Sequence, residues 1–188
     1  METKRGGNTH IALLRGINVG GRNIIPMARL KELCNGLGWS RPRTLLQSGN
    51  LLFETAETDD RVLAALLEDR IQRDCGFRPR VLVLTPVRLR RALADCPFPP
   101  DKGFEPGKVL LMFLTAAPSR EARASLQAAH GGPERMAFGD GVLYLHYPNG
   151  IGRSKLTNAV IENKLGVQGT ARNWNTAVKL RDLAEDNP

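Results

Sequence analysis

Two rounds of strand and helix signals, separated by a proline-rich stretch, predict an α+β chain of two tandem subdomains with largely antiparallel sheets. Three observations carry this expectation. Residues 9–84 read strand, helix, strand, strand, helix, strand, which is the order of the split-βαβ or ferredoxin-like unit. Residues 96–107, CPFPPDKGFEPG, hold four prolines and two glycines, a linker by composition. From Lys108 the same order of signals begins again. The chain has 188 residues, room for two small domains or one ordinary one. The expected division is a first α+β subdomain over 8–95, the linker over 96–107, and a second subdomain with C-terminal helices over 108–188. One continuous sheet is the alternative architecture.

THIALL (9–14) is short, almost wholly apolar and bounded by turn residues, as a buried strand is. After a glycine-rich loop, Pro26 suits a first helical position, where its missing N–H would be unpaired in any case. Met27, Leu30, Leu33 or Cys34, and Leu37 follow at helical spacing, and Gly36 and Gly38 stop that helix. RTLLQSGNLLFE (43–54) reads as a hairpin whose two-residue turn is Ser48-Gly49. Thr58 is the expected cap of a second helix, with Asp59 and Asp60 complementing the dipole in its first turn. Leu63, Leu66, Leu67 and Ile71 form its inner stripe, and Gly76 ends it. RVLVL (80–84) is a further buried strand, and TPVRLRRAL (85–93) opens a helix with a threonine cap and proline at its first position.

In the second round, KVLLMFL (108–114) is a central strand, and Ser119 caps a helix running to about His130. ERMAF and VLYLHY are strands on either side of Gly139-Asp140-Gly141. SKLTNAVIENKLG (154–166) reads as a helix with Leu156, Ala159 and Val160 inward. A last helix runs from about Asn175 to Ala184, where a fourth strand would complete the repeat.

Apolar residues make up 41% and charged residues 24%, which excludes wholesale disorder. No apolar run approaches the roughly 20 residues that span a bilayer, so no membrane partner is expected. The opening METKRGGNTH has no apolar export segment, which predicts a cytoplasmic protein. Cys34, Cys75 and Cys96 are odd in number and widely spaced, and the three histidines are scattered, so no metal site is expected. The net charge is +8, with 16 Lys and Arg against 10 Asp and Glu in residues 1–95 and 11 against 9 in residues 96–188. A basic surface draws phosphates. Arginine also outnumbers lysine 20 to 7, and codon bias accounts for that without any ligand.

The fold predicts where the conspicuous loops fall. In a split-βαβ unit the first strand ends beside the turn between the second and third, so RGINVGG and QSGN become neighbours. Arg15, Gly16, Asn18, Gly20, Gly21, Gln47, Ser48 and Asn50 would then surround the start of the first helix, whose free N–H groups favour an anion. Arginine adds a forked donor suited to phosphate or carboxylate. The competing explanation is local: glycines giving backbone freedom, and asparagines bonding nearby backbone. A second candidate is PNGIGRSKL (148–156), where Arg153, Ser154 and Lys155 follow a glycine turn. It is neither a G-x-x-x-x-G-K-[ST] loop nor a dinucleotide G-x-G-x-x-G, so no cofactor is assigned. A third is TARNWNTAVKL (170–180), in which Arg172 and Asn173 would meet a ligand and Trp174 would stack on a base or sugar, or else anchor the core.

LLRGINVGG…IPM, LQSGN and G-x-S-K-L…T-x-RNWNT together resemble the bacterial family catalogued as domain of unknown function 1697, over about Ile11 to Leu180. The resemblance implies an α+β protein of two related subdomains and assigns no activity, substrate, cofactor or catalytic residue. Ala171 stands where the resemblance leads one to expect Thr, which weakens any role for a hydroxyl there.

The function that these features suggest first is a phosphate-, nucleotide- or nucleic-acid-binding module using Arg/Gly-rich loops, although THIALLRG and LLFE supply only Phe53 for base stacking. The alternatives are an enzyme acting on a small phosphorylated or nucleotide-like substrate, and a structural or partner-binding protein. No Ser-His-Asp, Cys-His or HExxH pattern and no recognisable carboxylate pair marks a reaction.

Overall fold

The computed structural model describes residues 7–186. Its first sheet is built around β1 (Asn8–Arg15), which pairs antiparallel with β3 (Asn50–Thr55) on one side and β4 (Arg80–Leu84) on the other. β2 (Ser40–Leu45) closes the far edge, giving the order β2-β3-β1-β4. The continuous apolar sequence of β1 follows from burial on both faces. Ala12 and Leu14 pack with Leu51, Phe53, Val81 and Val83 under α1 (Met27–Asn35) and α2 (Asp60–Cys75). Those helices contribute Leu30, Leu33, Leu63, Leu67 and Ile71 to the same cluster. Ile11, Leu13, Leu52, Leu82 and Leu84, on the opposite face, are buried as well. Each such leucine removes enough apolar surface from water to contribute about 1.5–3 kcal/mol. Pro42 is confined to the edge strand, where the register of β2 against β3 shifts between Ser40 and Arg43.

The second unit repeats the pattern. β5 (Val109–Leu114) lies between β7 (Val142–His146) and β8 (Gly169–Asn173), and β6 (Arg135–Phe138) is the outer strand. The order β6-β7-β5-β8 corresponds strand for strand to the first sheet, again antiparallel throughout. α4 (Arg120–Ala129) and α5 (Asn158–Leu165) cover Leu110, Met112, Leu114, Leu143 and Leu145. Each round is followed by a helix, α3 (Pro86–Ala94) and α6 (Trp174–Glu185). The fold is therefore α+β, of two ferredoxin-like units. Among the described residues no helix is long and apolar enough to cross a membrane.

Several boundaries differ from the sequence expectation. β8 supplies the fourth strand of the repeat that the sequence leaves out. The β2–β3 loop has four residues (46–49), with Leu46 and Gly49 both at positive φ, so Ser48-Gly49 is not a two-residue turn. Pro26 precedes the helix, and α2 is capped by Asp59 rather than Thr58: its carboxylate accepts from the N–H groups of Arg61 and Val62. α5 starts at Asn158 behind a Thr157 cap, and Ala159 and Val160 are exposed while Ile161 and Leu165 point inward.

The chain divides into two compact units, one running to Leu89 and resuming at Leu180, the other spanning Arg90–Lys179. Residues 96–107, expected to link the two subdomains, pack within the second. Cys96 and Phe98 are buried, and Phe98, Phe104 and His146 meet ring to ring at 4.9–6.1 Å.

Two predictions follow from this packing. A Cβ at Gly49 would lie 2.8 Å from Leu14 Cβ and 3.0 Å from Leu14 O, at a φ of +75°. Gly49→Ala is therefore expected to lower the unfolding free energy in urea by about 1–3 kcal/mol. Burial pushes the His146 pKa down, and Arg135 and Lys108 push it further, against a smaller opposing pull from Glu105. The unfolded chain then binds a proton that the folded ring refuses, so stability falls as pH drops below about 6.5 towards the ring's depressed value. His146→Phe keeps a ring in the stack and removes the titration. Its unfolding free energy should vary less with pH across that window than the parent's, and equal slopes would refute the assignment.

Candidate functional site

The loop after β1 and the β2–β3 turn are neighbours, as the topology requires. Leu14 N–H donates to Gly49 O (2.8 Å). Asn18 ties the two loops together: its Nδ2 donates to Gln47 O (2.8 Å) and Ile25 O (3.0 Å), while its Oδ1 accepts from Ile25 N–H (2.8 Å). Asn23 Nδ2 donates to Gly16 O, and Asn50 Nδ2 donates to Leu45 O and Ser48 Oγ. Gly20 and Gly21, both at positive φ, turn the chain between Val19 and Arg22, whose N–H donates back to Val19 O. The asparagines and Ser48 thus hold the loop in shape through backbone and neighbouring groups. Outward the loop presents Val19, Arg22 and Ile24.

A cavity of about 570 Å³ opens in the second unit, between the α4–β6 connection and the 3₁₀ turn Ile151–Arg153 before α5. Leu126, Ala129, Pro133, Leu156 and Val160 give it apolar walls. Arg153, Lys155 and Lys164 bring three cations to it, and His130 and Glu134 complete the polar lining. This explains the exposure of Val160, which faces the cavity rather than the core.

The cations are available because Glu134 is engaged elsewhere. The Ser154 hydroxyl donates to Glu134 Oε1, and His130 Nε2 lies 3.2 Å from Glu134 Oε2 and 3.3 Å from Glu134 O. Among the described residues Arg153, Lys155 and Lys164 form no ion pair. Ser154 Oγ also accepts from Leu156 N–H (3.0 Å), which fixes the hydroxyl between the two cavity walls. It does not cap α5. The Ser154 hydrogen bond holds the Glu134 carboxyl below its ordinary range. The residue's own backbone N–H and the His130 charge act in the same direction, against burial. Gly132 permits the arrangement, since a Cβ there would run into Glu134 Oε2 and come within 2.9 Å of His130 Cε1.

Arg172, Asn173 and Trp174 lie on β8 and at the start of α6, outside the cavity lining. Arg172 is buried, which lowers its pKa to about 10, and its guanidinium donates to Ala171 O. Asn173 Nδ2 donates to the carbonyls of Pro106, Gly107 and Val109, and its Oδ1 accepts from Asn175 N–H at the helix start. Trp174 is half-buried.

The family model described as a protein of unknown function (DUF1697) matches residues 8–144. The chain belongs to the DUF1697 family. In this DUF1697 protein His130 and Glu134 fall within the matched range, and Arg153, Ser154, Lys155 and Lys164 lie beyond it. The solved structure of the conserved bacterial protein SP0830 from Streptococcus pneumoniae is similar over 94% of this chain and 98% of that one, with a TM-score of 0.73 and 19% identity. At that identity the likeness concerns the fold. No curated protein matches the sequence.

Of the residues singled out from the sequence, Arg153 and Lys155 line the cavity and Ser154 braces it. The sequence does not single out His130, Glu134 or Lys164. The only signal for the first two is a histidine and a glutamate four apart across Gly131-Gly132-Pro133.

Ser154→Ala is expected to raise the Glu134 pKa towards about 4.3, read from carboxyl NMR shifts against pH. The lowered value adds stability above the unfolded-state pKa that is lost as pH falls through the folded one, so the variant should lose less stability on acidification.

Proposed function

We propose that this protein is a binding module for a small phosphorylated molecule, held in the cavity of the second unit. The carrying observation is the set of three cations, Arg153, Lys155 and Lys164, around one cavity whose lining carboxylate, Glu134, is already bonded to Ser154 and His130. Phosphate oxygens accept charge-assisted hydrogen bonds from such groups, and Arg153 offers a forked pair of donors. The size falls in the range of about 300–1,000 Å³ usual for small-ligand sites. Concavity favours a compact ligand over a polymer, whose backbone needs an extended basic groove. The apolar walls, Leu126, Leu156 and Val160, suit the body that carries the phosphate, a nucleoside among them.

Calorimetric titration with inorganic phosphate and with AMP, at low and high salt, tests the reading. Arg153→Ala and Lys155→Ala should each weaken binding by at least about tenfold, since one charge-assisted hydrogen bond contributes about 1.5–3 kcal/mol. The melting temperature should hardly change, because both side chains are exposed. Absence of heat at millimolar ligand, or equal affinity in the variants, would sink the reading.

A further inference from the structure

The cavity holds more than charge. His130 follows the last residue of α4 and is one of the residues that line the cavity. Both groups beside Nε2, a carboxylate oxygen and a backbone carbonyl, are acceptors. Nε2 therefore carries the hydrogen in the neutral ring, which leaves the lone pair on Nδ1. The carboxylate that sets this tautomer is itself held by the Ser154 hydroxyl, whose oxygen is anchored by Leu156 N–H. A serine orienting a carboxylate that orients an imidazole is how a base is kept in one tautomer and steadied when it takes a proton. A carboxylate among three cations would ordinarily pair with one of them. Here it faces the imidazole, and the cations remain for the charge of a phosphoryl group.

We infer that His130 is the general base of a phosphoester hydrolysis carried out in this cavity, with Glu134 and Ser154 as positioning residues. The inference rests on the phosphate-binding reading and adds a reaction to it. A water molecule attacks the phosphorus while Nδ1 takes its proton. A new P–O bond forms, and the bond from phosphorus to the leaving oxygen breaks. The leaving oxygen, on the far side of the phosphorus, takes a proton from solvent water, and the imidazolium, steadied by the Glu134 carboxylate, afterwards releases its proton to solvent. Phosphate and an alcohol are the products, and water is the only co-reactant the step consumes. Arg153, Lys155 and Lys164 stabilise the charge spread over the phosphoryl oxygens. A histidine and glutamate that only closed the Gly-Gly-Pro turn would need no place in a cationic wall, and removing the ring would then change stability alone.

The test follows release of p-nitrophenol from p-nitrophenyl phosphate and of phosphate from AMP, alongside phosphate binding to the same proteins. His130→Asn is expected to bind phosphate within a few-fold of the parent while hydrolysis falls by about 100-fold or more, the usual contribution of a general base. Glu134→Gln removes the charge that steadies the imidazolium, and should shift the rising limb of the pH–rate profile as well as lower the rate. That shift is the decisive readout if His130→Asn fails to fold, and an unmoved profile overturns the positioning role. A parent protein that binds phosphate but hydrolyses neither ester overturns the inference and leaves the binding reading standing. No phosphate binding at all removes both. Hydrolysis undiminished in His130→Asn overturns the base assignment whatever the binding shows.

Discussion

The electrostatics of the cavity in the second unit depend on where one carboxylate points. Glu134 has three cations around its cavity and pairs with none of them, because its two oxygens meet Ser154 Oγ and His130 Nε2. Turned towards Lys155 or Arg153, it would occupy one of the three cations in a surface ion pair worth about 0–1 kcal/mol. Its contacts with Ser154 and His130 hold it instead. The Gly131-Gly132-Pro133 turn returns Glu134 to within reach of His130, the residue that follows α4, and Gly132 supplies the space that a Cβ would fill. Ser154, fixed by Leu156 N–H, closes the arrangement from the opposite wall.

The same topology serves different ends in the two units. In the first, the connection from β3 to α2 is four residues (56–59) and that from α1 to β2 is also four (36–39). In the second, the matching connection from β7 to α5 runs over residues 147–157 and contains a 3₁₀ turn. That added length builds a cavity wall, in keeping with the rule that scaffolds hold their shape while loops acquire ligands. The cavity lies at the end of the sheet where β6 begins and β7 ends. The glycine-rich loop of the first unit stands at the opposite end of its own sheet, where β1 finishes beside the β2–β3 turn. Topological reasoning located that meeting of loops correctly. The side chains gathered there hold the loop itself: Asn18 alone makes three bonds to backbone groups.

The order of elements is legible because the central strands and the inner helix stripes carry strong apolar patterns. β8 is not, since Gly169-Thr170-Ala171-Arg172-Asn173 offers no run of large apolar residues. It is an edge strand held by backbone pairing to β5, and it buries an arginine. The start of α5 is misread for a similar reason. Ser154 and Thr157 are both suitable caps in the sequence, and only the tertiary bond from Ser154 to Glu134 decides between them. Val160 looks like core on a helical wheel, yet its face of the helix borders the cavity. His130 and Glu134 are invisible as a pair, because a spacing of four across a glycine-proline turn follows no helical or strand period.

Net charge points to the wrong half of the chain for this cavity, and the reason is physical. Residues 1–95 carry the larger excess of Lys and Arg, but several of those arginines are matched. Arg29 meets Glu32 and Asp74, Arg70 meets Asp74, and Arg78 meets Glu68 and Asp69. The second half is nearly balanced in number, with 11 against 9. Among the described residues none of its carboxylates pairs with the cavity's cations, and Glu105 pairs with Lys108, Asp182 with Arg181, and Glu134 with His130. A ligand responds to the local field within about 10 Å at moderate ionic strength, not to a sum over the chain. Three cations at one cavity, none ion-paired among the described residues, therefore set a local field that the sum over the chain does not report.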